Sequence, residues 1–414
     1  MNATSNIYVI LPPFATFAGM YKLIVAVLLL TTTLACNNNS KIHSGTVVCT
    51  DAAALYDSSI KHPRHADFTK LAKDLVQSGI PGISVCIEDS NGLWRGSFGK
   101  ADLGNDIDFQ MCHSTKVASI TKLFVATMIY KLIEDGKMQL NDPISKYLDA
   151  DIISRLKNAD KATIADLLQH SSGINDFVFS PDYILYVFNN LEQDKSYEKL
   201  LSFSYDKEPA FEYGAKRQYN YTVGYILLAM AINKVAGKDH ALLQRELIWN
   251  PLGMNQTYFR PVEEIPWSNV ARGYFDYRRK GVQQDLTGLF TGDGSGFTGI
   301  YSTSDDLRKF INALYREKTV ISQSSLNSMM STINLDDSIS YGIGCRIYGV
   351  PANGQVYHWY GHPGGEVNYA SGAYYCPEKR ATVSYILNYG DAFEGAYSAS
   401  YLAFRREILR KVVE

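Results

Sequence analysis

The chain carries almost no net charge. Its 40 lysines and arginines against 42 aspartates and glutamates leave −2 over 414 residues. There is therefore no electrostatic case for binding nucleic acid or an anionic surface. Cysteine is sparse, with six residues in all, and the spacing fits no metal-binding motif. No metal or other cofactor is implied. With Cys36 set aside for a reason given below, Cys49, Cys86, Cys112, Cys345 and Cys376 remain. An odd number in an exported chain argues against a full disulfide framework. Most of these cysteines are expected to be buried apolar residues. Also missing are internal repeats and any apolar run long enough to span a bilayer as a helix. What remains, 46% hydrophobic and 20% charged, reads as a globular, soluble protein long enough for two subdomains.

The N-terminus is informative. Met20-Tyr21-Lys22 precedes the apolar run Leu23 to Leu30, followed by Thr31-Thr32-Thr33-Leu34-Ala35-Cys36. A basic residue, a short apolar run and a small residue before the cut make a secretory signal. Leu34-Ala35-Cys36 resembles the end of a bacterial lipobox, whose cysteine is lipidated after cleavage; Thr33 departs from the leucine usual there. Asn37-Asn38-Asn39-Ser40 reads as a tether. The expectation is a signal over residues 1–36, a tether over 37–65 and a folded domain over 66–414. The protein would be lipid-anchored through Cys36 in the bacterial cell envelope, periplasmic or at the cell surface. The plainer alternative is an ordinary secretory signal with an incidental cysteine. Met20 begins a complete signal alone and is read as the start; the alternative is a start at Met1 with an extended n-region.

Beyond the tether, Asp67 to Gln77 reads as a helix with Phe68, Leu71, Leu75 and Val76 on one side. Gly82 to Ile87 and Trp94 to Phe98 read as strands joined through an Asn91-Gly92 hairpin signal. From Asp142 to Ala236 the pattern is mostly helical, Phe275 to Gln283 reads as a small excursion, and Asp305 to Tyr315 reads as a helix. Strands are expected over Tyr341 to Tyr348, Gln355 to Tyr360, Tyr369 to Cys376 and Thr382 to Leu387, then a final helix from about Gly395. Helices and strands are segregated, so the expected class is α+β, with a helical insertion at about 125–290 between two parts of one sheet.

Ser119 and Lys122 lie one helical turn apart, on one face, where an apolar helix begins. A serine hydroxyl needs a base beside it to become a nucleophile. A lysine withdrawn from water loses affinity for its proton and can be that base. A helix N-terminus supplies N–H groups for an oxyanion. The same spacing recurs at Ser58/Lys61, Ser97/Lys100, Ser154/Lys157, Ser196/Lys199 and Ser204/Lys207. Only Ser119 is followed by a long helix-period stripe: Leu123, Phe124, Val125, Met128, Ile129, Leu132 and Ile133, closed by Gly136. The bland alternative is a surface serine and lysine on an ordinary amphipathic helix.

Further landmarks follow in order: Asp142-Pro143-Ile144, Leu167-Leu168-Gln169-His170-Ser171-Ser172-Gly173, Asn250-Pro251-Leu252-Gly253-Met254, Tyr341-Gly342-Ile343-Gly344 and Tyr360-Gly361-His362-Pro363-Gly364-Gly365. With Ser119 and Lys122 this series resembles the serine β-lactamase-related family, which includes class C β-lactamases, D-alanyl-D-alanine carboxypeptidases and allied esterases. The resemblance covers roughly residues 65–410. It implies a β-lactamase/transpeptidase-like fold and an exported serine hydrolase that forms an acyl-enzyme with a peptide, β-lactam or ester carbonyl. The substrate would be a small molecule or peptide, with cell-wall material one source. The alternative is a lipoprotein that binds penicillin without turnover or with slow deacylation.

The family's first element, Ser-x-x-Lys, matches Ser119 and Lys122. The second, Tyr-x-Asn, is where this chain departs. Counting from Gly214 puts the tyrosine at Tyr219 and leaves Tyr221 at the asparagine position. Counting back from Tyr225 puts Asn220 and Thr222 in the two slots. The loop spacing before it favours Tyr219, with Asn220 and Tyr221 as substrate-side residues. Tyr221 lacks the paired donor and acceptor of a carboxamide, which puts β-lactam turnover in doubt more than acylation. The third element is His362-Pro363-Gly364; His43-Ser44-Gly45 is a decoy in the tether. By the resemblance, His362 sits near the lysine and tyrosine, Gly364 leaves the strand edge open to substrate, and the N–H groups of Ser119 and Gly365 form the oxyanion hole. His170 is read as structural.

Overall fold

The first and last long strands of the chain lie side by side. The computed structural model describes residues 59–414 apart from 190–195, 216–217, 277, 290, 332, 337–338 and 391–394. The signal, Cys36 and residues 37–58 of the tether lie outside the described residues. A nine-stranded antiparallel sheet is built from β1 (Gly82–Asp89), β2 (Gly92–Asp102), β3 (Ile107–Asp108), β4 (Ile333–Asp336), β5 (Ile339–Tyr341), β6 (Arg346–Ala352), β7 (Gln355–Gly365), β8 (Ala370–Cys376) and β9 (Ala381–Leu387). Its order is β3-β2-β1-β9-β8-β7-β6-β5-β4, with Ile83 opposite Leu387 at the β1–β9 junction. The fold class is α+β.

Alternation along β1 assigns its two faces. Ile83, Val85 and Ile87 are fully buried, and Trp94, opposite Ile87, meets Phe68 edge-on at 5.4 Å. Phe68, Ala72 and Leu75 recur at helical spacing on α1 (His65–Gln77), which packs beside the C-terminal helix. On the other face, Ser84 Oγ lies 2.6 Å from Ser304 Oγ, at the start of a helix over Ser304–Ile311. Also on that face is α2 (Ile120–Glu134), which packs against β7 and β8. Phe124 of α2 stacks on Phe310 at 3.9 Å.

Several expectations shift by a few residues, and some change in kind. The stripe on α2 is not a stripe. Nearly every residue from Ile120 to Tyr130 is buried, so α2 is a central helix and not an amphipathic surface one. The single strand expected over Tyr341 to Tyr348 is broken between β5 and β6. Gly342 lies so close to Met329 that a β-carbon would fall 2.2 Å from its carbonyl oxygen, and Gly344 turns the chain at φ +112°. The Phe275 to Gln283 excursion is a two-stranded pair, Tyr274–Phe275 with Gln284–Asp285. Between α2 and Ile300 the regular elements are mostly short helices joined by loops, with α3 (Val223–Ala236) the longest of them among the described residues. Cys86, Cys345 and Cys376 are free and buried, whereas Cys112 is disulfide-bonded. Burial alone therefore does not account for the cysteines. No helix among the described residues is long and apolar enough to cross a membrane.

Candidate active site

A short strand, Thr115–Lys116, pairs with Ile300–Ser302 and delivers the chain to Ser119. Val117 is clamped on both sides of its peptide unit. Its N–H donates to Ile300 O at 2.9 Å, and its carbonyl accepts from Ser371 Oγ at 2.8 Å. Ala118 then adopts φ +49°, a region that a β-carbon disfavours. This turn sets Ser119 at the N-cap of α2. Its hydroxyl makes no capping bond there, so it is free to serve another partner.

That partner is Lys122, whose Nζ lies 3.0 Å from Ser119 Oγ. Lys122 is wholly buried. Its ammonium sits 5.5–5.7 Å from the ring centres of Tyr219, Tyr225 and Phe297, and Phe297 O is 3.5 Å away. Burial lowers its pKa to about 7, although Asp176 and Glu366 pull upward. Near neutral pH a large fraction of Lys122 is therefore unprotonated and able to accept the serine proton.

Tyr219 is half-buried and extends towards both Ser119 and His362. Its Oη is 3.5 Å from His362 Nε2. Burial pushes the phenol well above its ordinary value, with a hydrogen bond to Ser119 opposing. Tyr219 thus holds its proton across the physiological range. His362 is fully buried, and its Nδ1 is 2.6 Å from Pro363 O. A carbonyl only accepts, so Nδ1 carries the hydrogen and Nε2 presents the lone pair. Burial, with Lys122 and Arg346 nearby, holds the imidazole well below its usual range. It is neutral.

The other expected residues fall differently. The Asn220 carboxamide turns inward: Nδ2 donates to Ile174 O at 3.1 Å, and Oδ1 accepts from Gly224 N at 3.1 Å and Thr222 N at 3.3 Å. It holds the start of α3, with its oxygen taken by two backbone N–H groups and its nitrogen turned to Ile174 O. Tyr221 is 42% exposed and meets Phe179 and Tyr219 edge-on at 4.9 and 4.8 Å. It forms an aromatic rim where a carboxamide was expected. Gly364 faces inward, not towards substrate. A β-carbon there would lie 2.1 Å from Val117 O and 2.2 Å from Ser371 Oγ. Its lack of a side chain lets the Ser119 turn seat on the sheet. Gly365 ends β7, opposite Ala370. His170 Nδ1 accepts from Asn220 N at 3.3 Å, and its ring centre is 4.5 Å from those of both Tyr219 and Tyr341. It props two site tyrosines.

Sequence reasoning missed three features. Tyr341, whose Oη is 3.0 Å from His362 Nε2, stood in a quoted landmark without a role. The Ala118 turn has no sequence signal. Behind the site, Lys116 Nζ is 3.0 Å from Asp293 Oδ1 and 3.3 Å from Glu366 Oε2, all three side chains being buried. No cluster of three or more metal-ligating side chains occurs among the described residues.

A family model described as Beta-lactamase matches residues 68–405. D-alanyl-D-alanine-carboxypeptidase/endopeptidase AmpH of Escherichia coli (strain K12) is 27% identical over 239 residues, 56% of this chain and 57% of that protein. The chain thus spans little more than half of that relative's length. Penicillin-binding protein 4* of Bacillus subtilis (strain 168) is 27% identical over 326 residues, 74% of this chain and 68% of that protein. Among solved structures, D-amino acid amidase from Ochrobactrum anthropi SV3, complexed with L-phenylalanine amide, superposes with a TM-score of 0.70 at 25% identity. It covers 84% of this chain and 97% of the other.

Proposed function

Because the chain belongs to the beta-lactamase family, we propose that it is a serine hydrolase working through an acyl-enzyme on Ser119. One observation carries this reading: the buried Lys122 amine, with its pKa lowered to about 7, lies 3.0 Å from the Ser119 hydroxyl. Lys122 takes the serine proton as Oγ attacks the carbonyl. The N–H groups of Ser119 and Gly365 receive the oxyanion. Tyr219 gives its proton to the departing nitrogen or oxygen and is reloaded from protonated Lys122. Water then releases the acyl group.

The relatives named as a D-alanyl-D-alanine carboxypeptidase and a D-amino acid amidase support an amide next to a D-residue as substrate. With Asn220 turned inward and Tyr221 on the rim, acylation by β-lactams should outpace their release. That arrangement also favours the second reading, a penicillin-binding lipoprotein with slow or no deacylation. Export and anchoring through Cys36 belong to the same proposal; the bonded state of Cys112 suits an oxidising compartment.

Intact-protein mass spectrometry of the form starting after Cys36, with a fluorophosphonate and then a penicillin, tests this. Adducts are expected on the wild type and not on Ser119→Ala, which should stay folded and lose all turnover. A transient penicillin adduct with product release would favour β-lactamase-like turnover, a lasting one a penicillin-binding peptidase or esterase, and no adduct from either probe the non-catalytic lipoprotein. Turnover retained by Ser119→Ala would sink both.

A further inference from the structure

Tyr341 ends β5, is fully buried and has no part in the reaction as written above. Its position next to His362 gives it one. His362 donates through Nδ1 to Pro363 O, so its neutral ring has a single lone pair, at Nε2. Two phenols contend for that acceptor, Tyr341 Oη at 3.0 Å and Tyr219 Oη at 3.5 Å. Among the described residues the Tyr341 proton has one other acceptor in reach, Tyr225 Oη at 3.5 Å. Tyr225 itself donates to Leu168 O at 3.2 Å. The shorter contact directs the Tyr341 proton to His362. With the lone pair taken, the Tyr219 proton has no acceptor at the imidazole and stays available on the Ser119 side.

We propose that Tyr341 is a positioning residue: by filling the His362 lone pair, it keeps the proton of Tyr219 directed at the reacting serine and leaving group. This rests on the serine hydrolase reading. The groups facing His362 are consistent with it. Lys122 from α2 and Arg346 from β6 both disfavour a charged imidazole. His170 is held well below its usual range by burial, then by Lys122 and His362, so it adds no cation. Its ring packs on Tyr219 and Tyr341 at equal centre distances of 4.5 Å, and the two tyrosines meet each other edge-on at 5.9 Å.

The test uses the folded protein with its histidines labelled with 15N, His362→Gln assigning the signal. In the wild type, His362 is expected as the neutral Nδ1–H form with a hydrogen-bonded Nε2. Tyr341→Phe should shift the Nε2 resonance and lower kcat about tenfold, a part of what a general acid contributes, with KM little changed. Tyr385→Phe, which removes a buried phenol beside the C-terminal helix, should move neither. In a Tyr219→Phe background, Tyr341→Phe should have no further effect on kcat, because its influence passes through Tyr219. A wild-type His362 that carries its proton on Nε2 overturns the proposal, as does an equal kcat loss in both backgrounds. Failure of Ser119 to acylate in the wild type would instead sink the hydrolase reading. The resonance of His362 reports on its pairing with Tyr341 in either case.

Discussion

An ammonium taken out of water favours its neutral form, and Lys122 is taken out completely. Its pKa, near 7 instead of 10.5, makes the acylation rate rise with pH through about 7, as the base becomes free. The Tyr219 phenol, pushed upward, imposes no loss on the alkaline side of neutrality. Lys122→Arg keeps a cation that does not deprotonate, so acylation should fall about 100-fold or more and the limb near neutrality should vanish. A pH series of fluorophosphonate labelling rates measures both. Stability moves the same way, over a higher pH range. Between the folded value of about 7 and the unfolded 10.5, the unfolded chain binds more protons, so this group's burden on the fold eases as pH rises. Lys122→Met should therefore raise Tm, most below about pH 7 and less towards pH 10. A variant no more stable than wild type at about pH 6 would show that the ammonium is not penalised. Ser119 and Lys122 were legible because spacing on a helix is written in sequence. The inward turn of Asn220 was not, because which side of a loop a carboxamide faces depends on partners 46 and 4 positions away, at Ile174 and Gly224.

At the scale of elements, β7 and the turn into α2 are fitted to each other through Gly364. Val117 O cannot retreat easily, since Val117 N is tied to Ile300 O and Val117 O itself accepts from Ser371. Gly364→Ala would put a β-carbon 2.1 Å from that oxygen. Overpacking of this kind costs about 1–3 kcal/mol, which thermal unfolding would report. The activity loss should be larger, about 100-fold, because the displaced turn carries the nucleophile and an ångström of misplacement is costly. Adding Ser371→Ala should not rescue it, since the backbone oxygen remains; rescue would mean that the hydroxyl alone was in the way. The sequence makes β1, β2 and β7 to β9 readable through alternation and turn residues. It hides the break between β5 and β6, since the cause is the approach of Met329 from elsewhere in the chain. It also hides the depth of α2, since an apolar stripe and an all-round buried helix begin with the same residues.

Over the whole molecule, residues far apart in the chain meet behind the site, and this no local pattern could announce. The segregation of helices and strands was enough for the α+β class, and the order of landmarks for the family. Neither says that Lys116, Asp293 and Glu366 form one buried cluster. Lys116 lies three residues before Ser119, and Glu366 immediately follows Gly365. Asp293 belongs to the glycine-rich turn that leads to Phe297, beside Lys122. The Glu366 carboxylate also accepts from Thr291 Oγ1 at 2.7 Å and from Thr298 Oγ1. The cluster thus ties the strand before the nucleophile, the strand end at Gly365 and the intervening turn into one unit. Lys116→Met would leave two carboxylates buried beside an apolar chain. Asp293 keeps Arg260 at 3.8 Å, whereas among the described residues Glu366 is ion-paired with Lys116 alone. Removing one partner of a buried pair costs about 3–5 kcal/mol, and the loss should appear in urea unfolding together with a lower acylation rate. Glu366→Gln in the same chain removes the stranded charge while keeping an acceptor for the two threonines. The double variant should therefore be more stable than Lys116→Met alone, a reversal that only an electrostatic tie predicts. If the two losses simply add, the lysine is held there by packing of its stem and the cluster does not align the site through charge.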